Sequence, residues 1–143
     1  MSTFKYHKPG LQNVGSYQAS AIPYVTSSLT VAASGTTGPT VVSLPQISRF
    51  VTVKNTVDEA STTGSMRVGF SSQGTVASSS LGHPNNYFIL DPGESYTGEW
   101  RVRDIYLMGH AEHEASASII AGLTPISTSS LAFDNWSGSL GIG

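Results

Sequence analysis

The sequence contains no cysteine, which excludes disulfide bonds, thiolate metal sites and a cysteine nucleophile. Charge is also scarce, since Asp, Glu, Lys and Arg make up 11% of the residues, against roughly 25% in an average soluble domain. The formal net charge of -2 leaves no excess of positive charge for phosphate groups, so direct nucleic-acid binding is not expected. No segment approaches the ~20 apolar residues of a membrane span, and residues 1–10 lack the apolar run of a secretion signal.

Short hydroxyl side chains take the place of the missing charges, because Ser and Thr make up about a quarter of the residues. Thr forms strands well, and hydroxyl groups solvate the outer face of a sheet, so this bias is typical of a β protein. A surface of Ser and Thr also loses less free energy than one of Lys and Glu when another subunit buries it. The composition therefore favours a β protein whose faces can enter interfaces.

Two segments near the middle of the chain show the alternation of strands. From Met66 to Phe70 every second residue is large and apolar, which at the two-residue period of a strand predicts one buried face. Residues 47–55 carry apolar side chains on both parities, so we expect this strand in the middle of a sheet, covered on both sides. The 143 residues fit one domain of ordinary size, whose core needs no crosslinks.

Strand-like segments continue along the rest of the chain, at 28–34, 39–44, 87–90, 95–100, 100–108 and 115–123. We expect the first two to form a hairpin. The slip in alternation near Arg103 and Asp104 indicates either a β-bulge or a change in which face of the strand is covered, and we favour the bulge. Pro125 is expected to end the last strand, and the polar segment 73–86 to form an exposed loop. No segment of ten or more residues has helical periodicity. We therefore predict an all-β antiparallel sandwich of about eight strands, with a single jelly roll as its form.

Both ends of the chain carry apolar side chains without a regular period. The segments between the two ends show the alternation of strands, and the ends do not. This difference predicts an N-terminal docking arm over residues 1–27, the jelly-roll sandwich over 28–125 and a C-terminal arm over 126–143. Aromatic groups left in water tend to find a partner, so we expect the arms to dock on neighbouring molecules. For the first arm, the alternative that it folds back as an extra edge strand of its own domain stays open.

The densest cluster of ionisable residues lies in a predicted loop, at His110, Glu112, His113 and Glu114. Imidazole and carboxylate groups this close together could hold Zn²⁺ or a similar ion. On an extended backbone, however, His113 points away from the other three, and no helix is predicted that would align them. We interpret the cluster as a solvated hairpin tip and expect no metal ion and no cofactor, with a site at His110, Glu112 and His113 as the open alternative.

No residue pattern points to catalysis. Asp91 and Glu94 flank a Pro-Gly pair, and turn chemistry accounts for both of them. Asp58 and Glu59 lack the spacing of a calcium loop. No Gly-x-Ser-x-Gly elbow selects a serine nucleophile, so we expect no enzyme activity.

Four aromatic residues are candidates for a sugar-binding platform on the sandwich: Tyr87, Tyr96, Trp100 and Tyr106. They are interleaved with other large apolar residues, which is more typical of a core or of a subunit interface. Carbohydrate binding therefore stays an alternative to a structural role.

Five segments carry a resemblance that extends over most of the chain. They are RFVTVKN (49–55), MRVGFSSQGT (66–75), NYFILDPGES (86–95), VRDIYLMG (102–109) and ASIIAGLTPI (117–126). In the residue pattern and the order of their strands they resemble small single jelly-roll structural proteins of icosahedral double-stranded DNA viruses or phages, namely penton-type or minor capsid proteins.

The resemblance implies a virion structural protein that is located in the capsid and is made inside the host cell, without a secretion signal. Its implied partners are further copies of itself, with a pentamer as the ring to look for, and other capsid proteins. A capsid decoration or tail-associated virion protein would have the same fold, and a glycan-binding module is the remaining alternative.

In a capsid role the arms would carry the side chains that anchor each subunit on its neighbours. The candidate partner-binding residues are Tyr17, Ile22, Tyr24, Phe133 and Trp136. We expect each contact to be modest and the assembly to gain its stability from many symmetric copies.

Overall fold

Antiparallel strands dominate the part of the chain that a computed structural model describes, residues 10, 21–35, 38–76 and 85–130. In these ranges eight strands form two sheets of four, which confirms the predicted all-β sandwich. The strands are β1 (Ile22–Val31), β2 (Thr40–Ser43), β3 (Gln46–Asn55), β4 (Met66–Gly69), β5 (Tyr87–Leu90), β6 (Ser95–Gly98), β7 (Asp104–Gly109) and β8 (Ala115–Ser127). A short helix, α1 (Ser72–Val76), follows β4, and a 3-10 turn (Thr128–Ser130) follows β8.

The two sheets have related strand orders. Sheet A has the order β1-β8-β3-β6 and sheet B the order β2-β7-β4-β5. The pairing is nested, because β1 pairs with β8, β2 with β7, β3 with β6 and β4 with β5. Further pairing of β3 with β8 and of β4 with β7 completes the sheets. Successive pairs of the nested series therefore alternate between sheet A and sheet B.

The hydrophobic core lies between the sheets. Its largest fully buried side chains include Ile119 of sheet A and Ile105 and Leu107 of sheet B, each 0% exposed. Burial of a side chain of this size contributes about 1.5–3 kcal/mol. Met66 and Val68 are buried on β4, which confirms the face predicted for that strand. β3 lies between β8 and β6, in the interior of its sheet as expected. The expected cover on both sides is wrong, because Lys54 on its outer face is exposed and Phe50 and Thr52 are only half-buried.

The expected hairpin between residues 28–34 and 39–44 is wrong. β1 and β2 belong to different sheets, and each pairs with a strand from late in the chain. Gly35 and Gly38, with φ of 87° and 91°, supply the left-handed backbone of the connection between the sheets. Alternation along a strand indicates which face is buried but not which strand lies alongside, so the sequence pattern suggested the nearest neighbour.

β1 begins at Ile22 and forms one edge of sheet A. Its register shifts between Thr26 and Leu29, and Ser28 has a φ of 56°, which together form a β-bulge. Because the bulge adds one residue, Tyr24 and Leu29 both pack against the core, although their alternation would place them on opposite faces. Residues 22–27 of the predicted arm thus lie in the sheet, as in the edge-strand alternative.

β8 continues through Pro125 to Ser127, so the prediction that Pro125 ends the strand is wrong. The ladder with β3 is irregular here, with register shifts between Gln46 and Ser48 and between Ser48 and Phe50. A proline is tolerated where the ladder is already interrupted, because its missing N–H is not needed there.

β7 begins at Asp104 and pairs with β2 and β4 without a register shift, so the bulge expected near Arg103 is wrong. All six residues of β7 are buried. β7 is covered on both faces, so apolar residues occur at its odd and at its even positions. This is why the alternation near Arg103 is irregular.

The segment predicted as an exposed loop over residues 73–86 begins within helix α1, and Gly74 and Thr75 are buried there. Ser71 caps the helix, since its hydroxyl accepts a hydrogen bond from the Gly74 N–H at 3.2 Å. The Thr75 hydroxyl donates to the Ser71 carbonyl at 2.8 Å. A single turn with few apolar residues has no periodicity to detect, and these local bonds decide its structure.

Candidate interaction surface

The protein's own chain covers the part of the outer face of sheet B that lies over β4 and β7, whereas Val41 on β2 and Ile89 on β5 are 47% and 42% exposed. Tyr106 and Met108 point away from the core on β7, yet they are only 5% and 1% exposed. α1 contacts β4 and β7 on this side. Gly69 makes the close approach possible, because the Thr75 side chain occupies the space that a side chain at position 69 would need.

Arg67 binds the end of α1 and holds it against the outer face of sheet B. Its Nη1 donates hydrogen bonds to the carbonyl oxygens of Thr75 at 3.3 Å and Val76 at 3.0 Å. Its Nε donates to Nδ1 of His110 at 3.2 Å, and its guanidinium lies 4.7 Å from the centroid of the Tyr87 ring. A positive charge suits the C-terminal carbonyls of a helical turn, and the ring adds a cation–π contact.

The outer face of sheet A carries exposed apolar side chains in one continuous row. Val25 on β1 lies opposite Ile120 on β8, which in turn lies opposite Thr52 on β3, and Thr52 lies opposite Thr97 on β6. These four residues form one row across the whole sheet. Val25 is 66% exposed and Ile120 is 48% exposed, although Ile120 belongs to an interior strand.

A second uncharged row lies beside the first. It runs from Pro23 through Gly122 to Phe50. Gly122 has no side chain, and the Phe50 ring and the Ala21 methyl group fill the space above it. We call Pro23, Val25, Phe50, Thr52 and Ile120 the sheet A patch.

The borders of the sheet A patch differ in chemistry. On one side lie hydroxyl groups and one charge, with Lys54 exposed and the Thr56 hydroxyl bonded to the Ser116 hydroxyl at 2.9 Å. On the other side, beyond Phe50, a cavity of about 380 Å³ is lined by Ser48, Arg49, Glu99 and Arg101. The three charged residues of that cavity are exposed. The patch is therefore an uncharged band between charged ends of the sheet.

Two of the five predicted partner-binding residues lie in the described part of the chain. Ile22 is 52% exposed at the start of β1 and remains available for a contact. Tyr24 is half-buried and packs against the protein's own core. Tyr17, Phe133 and Trp136 lie outside the described residues.

Sequence reasoning missed Val25 and Ile120 as exposed apolar residues. The signal in the sequence is the doublet Ile119-Ile120, since two large apolar neighbours in a strand must point to opposite faces. Which of the two is exposed depends on which face of sheet A is covered, and only the tertiary structure shows that Ile119 is buried and Ile120 is not.

The ionisable cluster at residues 110–114 forms the tight turn between β7 and β8. The His113 N–H bonds to the His110 carbonyl at 3.3 Å, and Ala111 and Glu112 have φ of 54° and 64°. The Nδ1 atom of His110 accepts its hydrogen bond from Arg67. Within the described ranges, no group of three or more His, Asp or Glu residues is arranged to hold a metal ion.

The carboxylates at residues 91 and 94 have structural bonds in a turn. The carboxylate of Glu94 accepts from the Asp91 N–H at 2.9 Å, and that of Asp91 accepts from the Ser65 hydroxyl at 2.7 Å. The carboxylate of Asp58 accepts from the Ala60 N–H at 3.0 Å. These contacts agree with the interpretation that turn chemistry accounts for the acidic residues.

The four candidate aromatic residues do not form a shared platform. Tyr106 is buried and Tyr87 lies under Arg67, both on the outer face of sheet B. Tyr96 packs on Phe88, with ring centroids 4.9 Å apart, where β5 and β6 meet at the margin of the two sheets. Trp100 packs on Phe70 with ring centroids 6.1 Å apart, so Tyr87, Tyr96 and Trp100 each pack against a different residue.

Comparisons of the chain with protein-family models, with curated proteins and with solved structures find no match. The described part of the chain contains no helix with the length and apolar character that a membrane crossing requires.

Proposed function

We propose that the protein is a virion structural protein, a penton-type or minor capsid protein that assembles with copies of itself and with other capsid proteins. The nested strand pairing carries the proposal. A long two-stranded ribbon whose successive pairs alternate between two sheets, as they do here, supports a single jelly roll as the fold. Jelly rolls are common among viral capsid proteins, and they also occur among lectins and cupins.

A fold alone does not determine a function. The surface of the protein must therefore distinguish a capsid protein from a lectin or a cupin. A glycan-binding module would need an aromatic platform, whereas three of the four candidate rings pack against separate partners and the fourth, Tyr106, is buried. A subunit of a shell needs uncharged surface that its neighbours can bury, and the sheet A patch supplies it. The outer face of sheet A therefore favours the structural role.

The size of this face fits an assembly of many copies. Four strands about 4.8 Å apart give a width of about 14 Å, and three rows of outward residues about 7 Å apart give a similar height. With side-chain margins the face offers on the order of 400 Å², half of the ~800 Å² that each partner buries in a stable interface. Such a contact is weak by itself and becomes stable when a closed shell repeats it.

The test is native mass spectrometry of the full chain beside a variant that lacks residues 1–20, a deletion that leaves β1 intact. We expect the full chain to form a discrete ring, with a pentamer as the leading form. The truncated variant should keep its circular dichroism spectrum and lose the ring.

A full chain that stays monomeric at every concentration would contradict the penton-type assignment. Binding of that monomer to finished capsids would then identify it as a decoration protein. A hit on a glycan array, in the absence of any assembly, would identify the lectin class instead.

A further inference from the structure

We propose that His110 is part of a proton-controlled latch that holds α1 on sheet B at neutral pH and releases it in mild acid. The latch consists of His110, Arg67 and the two α1 carbonyls that Arg67 binds. It would operate whether or not the protein assembles into a capsid.

The direction of one hydrogen bond defines the protonation state of the latch. Nε of Arg67 lies 3.2 Å from Nδ1 of His110. A guanidinium group can only donate hydrogen bonds, so Nδ1 must be the acceptor and can carry no proton. The bond therefore requires a neutral imidazole whose proton lies on Nε2.

Protonation of His110 would remove this bond and create a repulsion. Both ring nitrogens of an imidazolium are donors, so an N–H of His110 would face the N–H of Arg67. The two side chains would also carry like charges at a half-buried position, where water screens them incompletely. Histidine changes its charge between about pH 5 and pH 8, so the change takes place in mild acid.

The other groups around His110 leave Arg67 as its direct side-chain partner. The remaining titratable groups near it in the described residues are Glu112, His113 and Glu114 of its own turn, Tyr87 of β5, and Asp91, which follows β5. Glu112 and Glu114 are exposed, and the Asp91 carboxylate accepts from the Ser65 hydroxyl. Residues 32–34, which bond to the other side of the turn, carry no titratable group. Among the described residues, no carboxylate forms an ion pair with the imidazole.

Arg67 connects the state of His110 to α1. The guanidinium that bonds His110 also donates to the carbonyl oxygens of Thr75 and Val76. It lies over Met108 as well, with Nη1 3.9 Å from the sulfur atom. Displacement of the guanidinium would loosen α1, and release of α1 would uncover the outer face of β7, where Tyr106 and Met108 are now buried.

The test measures amide exchange in α1 by NMR of the full chain, at about pH 7.5 and about pH 5.5, on either side of the histidine transition. The amides to follow are those of Gly74 and Thr75, which bond to the Ser71 hydroxyl and carbonyl. The variant His110→Asn offers a carbonyl oxygen near the position of Nδ1 and takes up no proton. His113→Asn is the matched control, because it removes an exposed histidine from the same turn.

After correction for the intrinsic pH dependence of exchange, we expect the native protection factors to fall by at least about fivefold at the lower pH, since the loss of one hydrogen bond changes an equilibrium by roughly that factor. The His113→Asn variant should show the same fall, and the His110→Asn variant should change by less than about twofold. An equal pH dependence in the native chain and in His110→Asn would overturn the proposal.

The native chain allows a second test that needs no substitution. Long-range ¹⁵N–¹H spectra distinguish the two ring nitrogens of each histidine and show which of them carries the proton. At about pH 7.5 we expect His110 to carry its proton on Nε2, because Nδ1 accepts from Arg67. A proton on Nδ1 would overturn the latch whatever the exchange data show.

Discussion

Asn55 is the side chain whose replacement should destabilise the sandwich most clearly. It is 0% exposed at the end of β3. Its Nδ2 donates to the carbonyl oxygens of Gly64 at 2.8 Å and Leu90 at 3.0 Å, and its Oδ1 accepts from the Val57 N–H at 3.0 Å. One side chain thus connects β3 of sheet A, the loop after it and the end of β5 in sheet B.

The backbone of Asn55 belongs to the same network. Its N–H donates to the Glu94 carbonyl at 2.9 Å, and its carbonyl accepts from the Gly93 N–H at 3.2 Å. These bonds hold the turn between β5 and β6 against the end of β3. Loss of the side chain should therefore loosen the turn as well as the loop.

The replacement Asn55→Ala leaves two buried carbonyls and one amide without their partner. A lost hydrogen bond costs about 1 kcal/mol, and a buried group left unsatisfied costs about 1–3 kcal/mol. We therefore expect the free energy of unfolding to fall by about 3–4 kcal/mol, a large part of the ~5–15 kcal/mol typical of a domain. The melting temperature should fall by about 10 °C.

The measurement is equilibrium unfolding in urea, followed by tryptophan fluorescence, together with a thermal melt followed by circular dichroism. Thr56→Ala is the matched control, because its hydroxyl makes an exposed bond to Ser116 at 2.9 Å. That control should change stability by less than about 0.5 kcal/mol. A loss below about 1 kcal/mol for Asn55→Ala would refute the reasoning, since it would mean that water satisfies the freed groups without cost.

Three further predictions follow from other positions. Ala111→Asn combined with Glu112→Gly should raise stability by about 1–2 kcal/mol in a thermal melt, because both positions have positive φ in a turn that prefers Asn-Gly; an unchanged melt would show that neither residue is strained. Arg67→Met should cost about 2 kcal/mol and speed amide exchange in α1, whose carbonyls Arg67 binds; unchanged exchange would exclude its fastening role. Gly122→Ala should cost about 1–3 kcal/mol in urea unfolding, because its methyl group would meet the Phe50 ring, and Gly10→Ala, with open space around it, is the neutral control.

The sequence by itself determined the structural class and the positions of most strands. Alternation from Met66 onward and apolar residues on both parities of 47–55 located β4 and β3, because the face of a strand is a local property with a period of two. The turn at Asp91 and Glu94 was predictable for the same reason, since turn chemistry depends on neighbouring residues.

Only the tertiary structure decided which strands pair and which faces are covered. β1 pairs with β8, although most of the sequence lies between the two strands. A local sequence pattern does not indicate a partner that is so distant in the sequence. The bulge at Ser28 inverts the alternation of β1, and α1 buries the outer face of β7 through bonds from Ser71 and Arg67. Ile120 is exposed because the cover that α1 provides lies over β4 and β7 of sheet B and not over sheet A. Pairing and cover are non-local, so they are absent from a pattern that reports each strand separately.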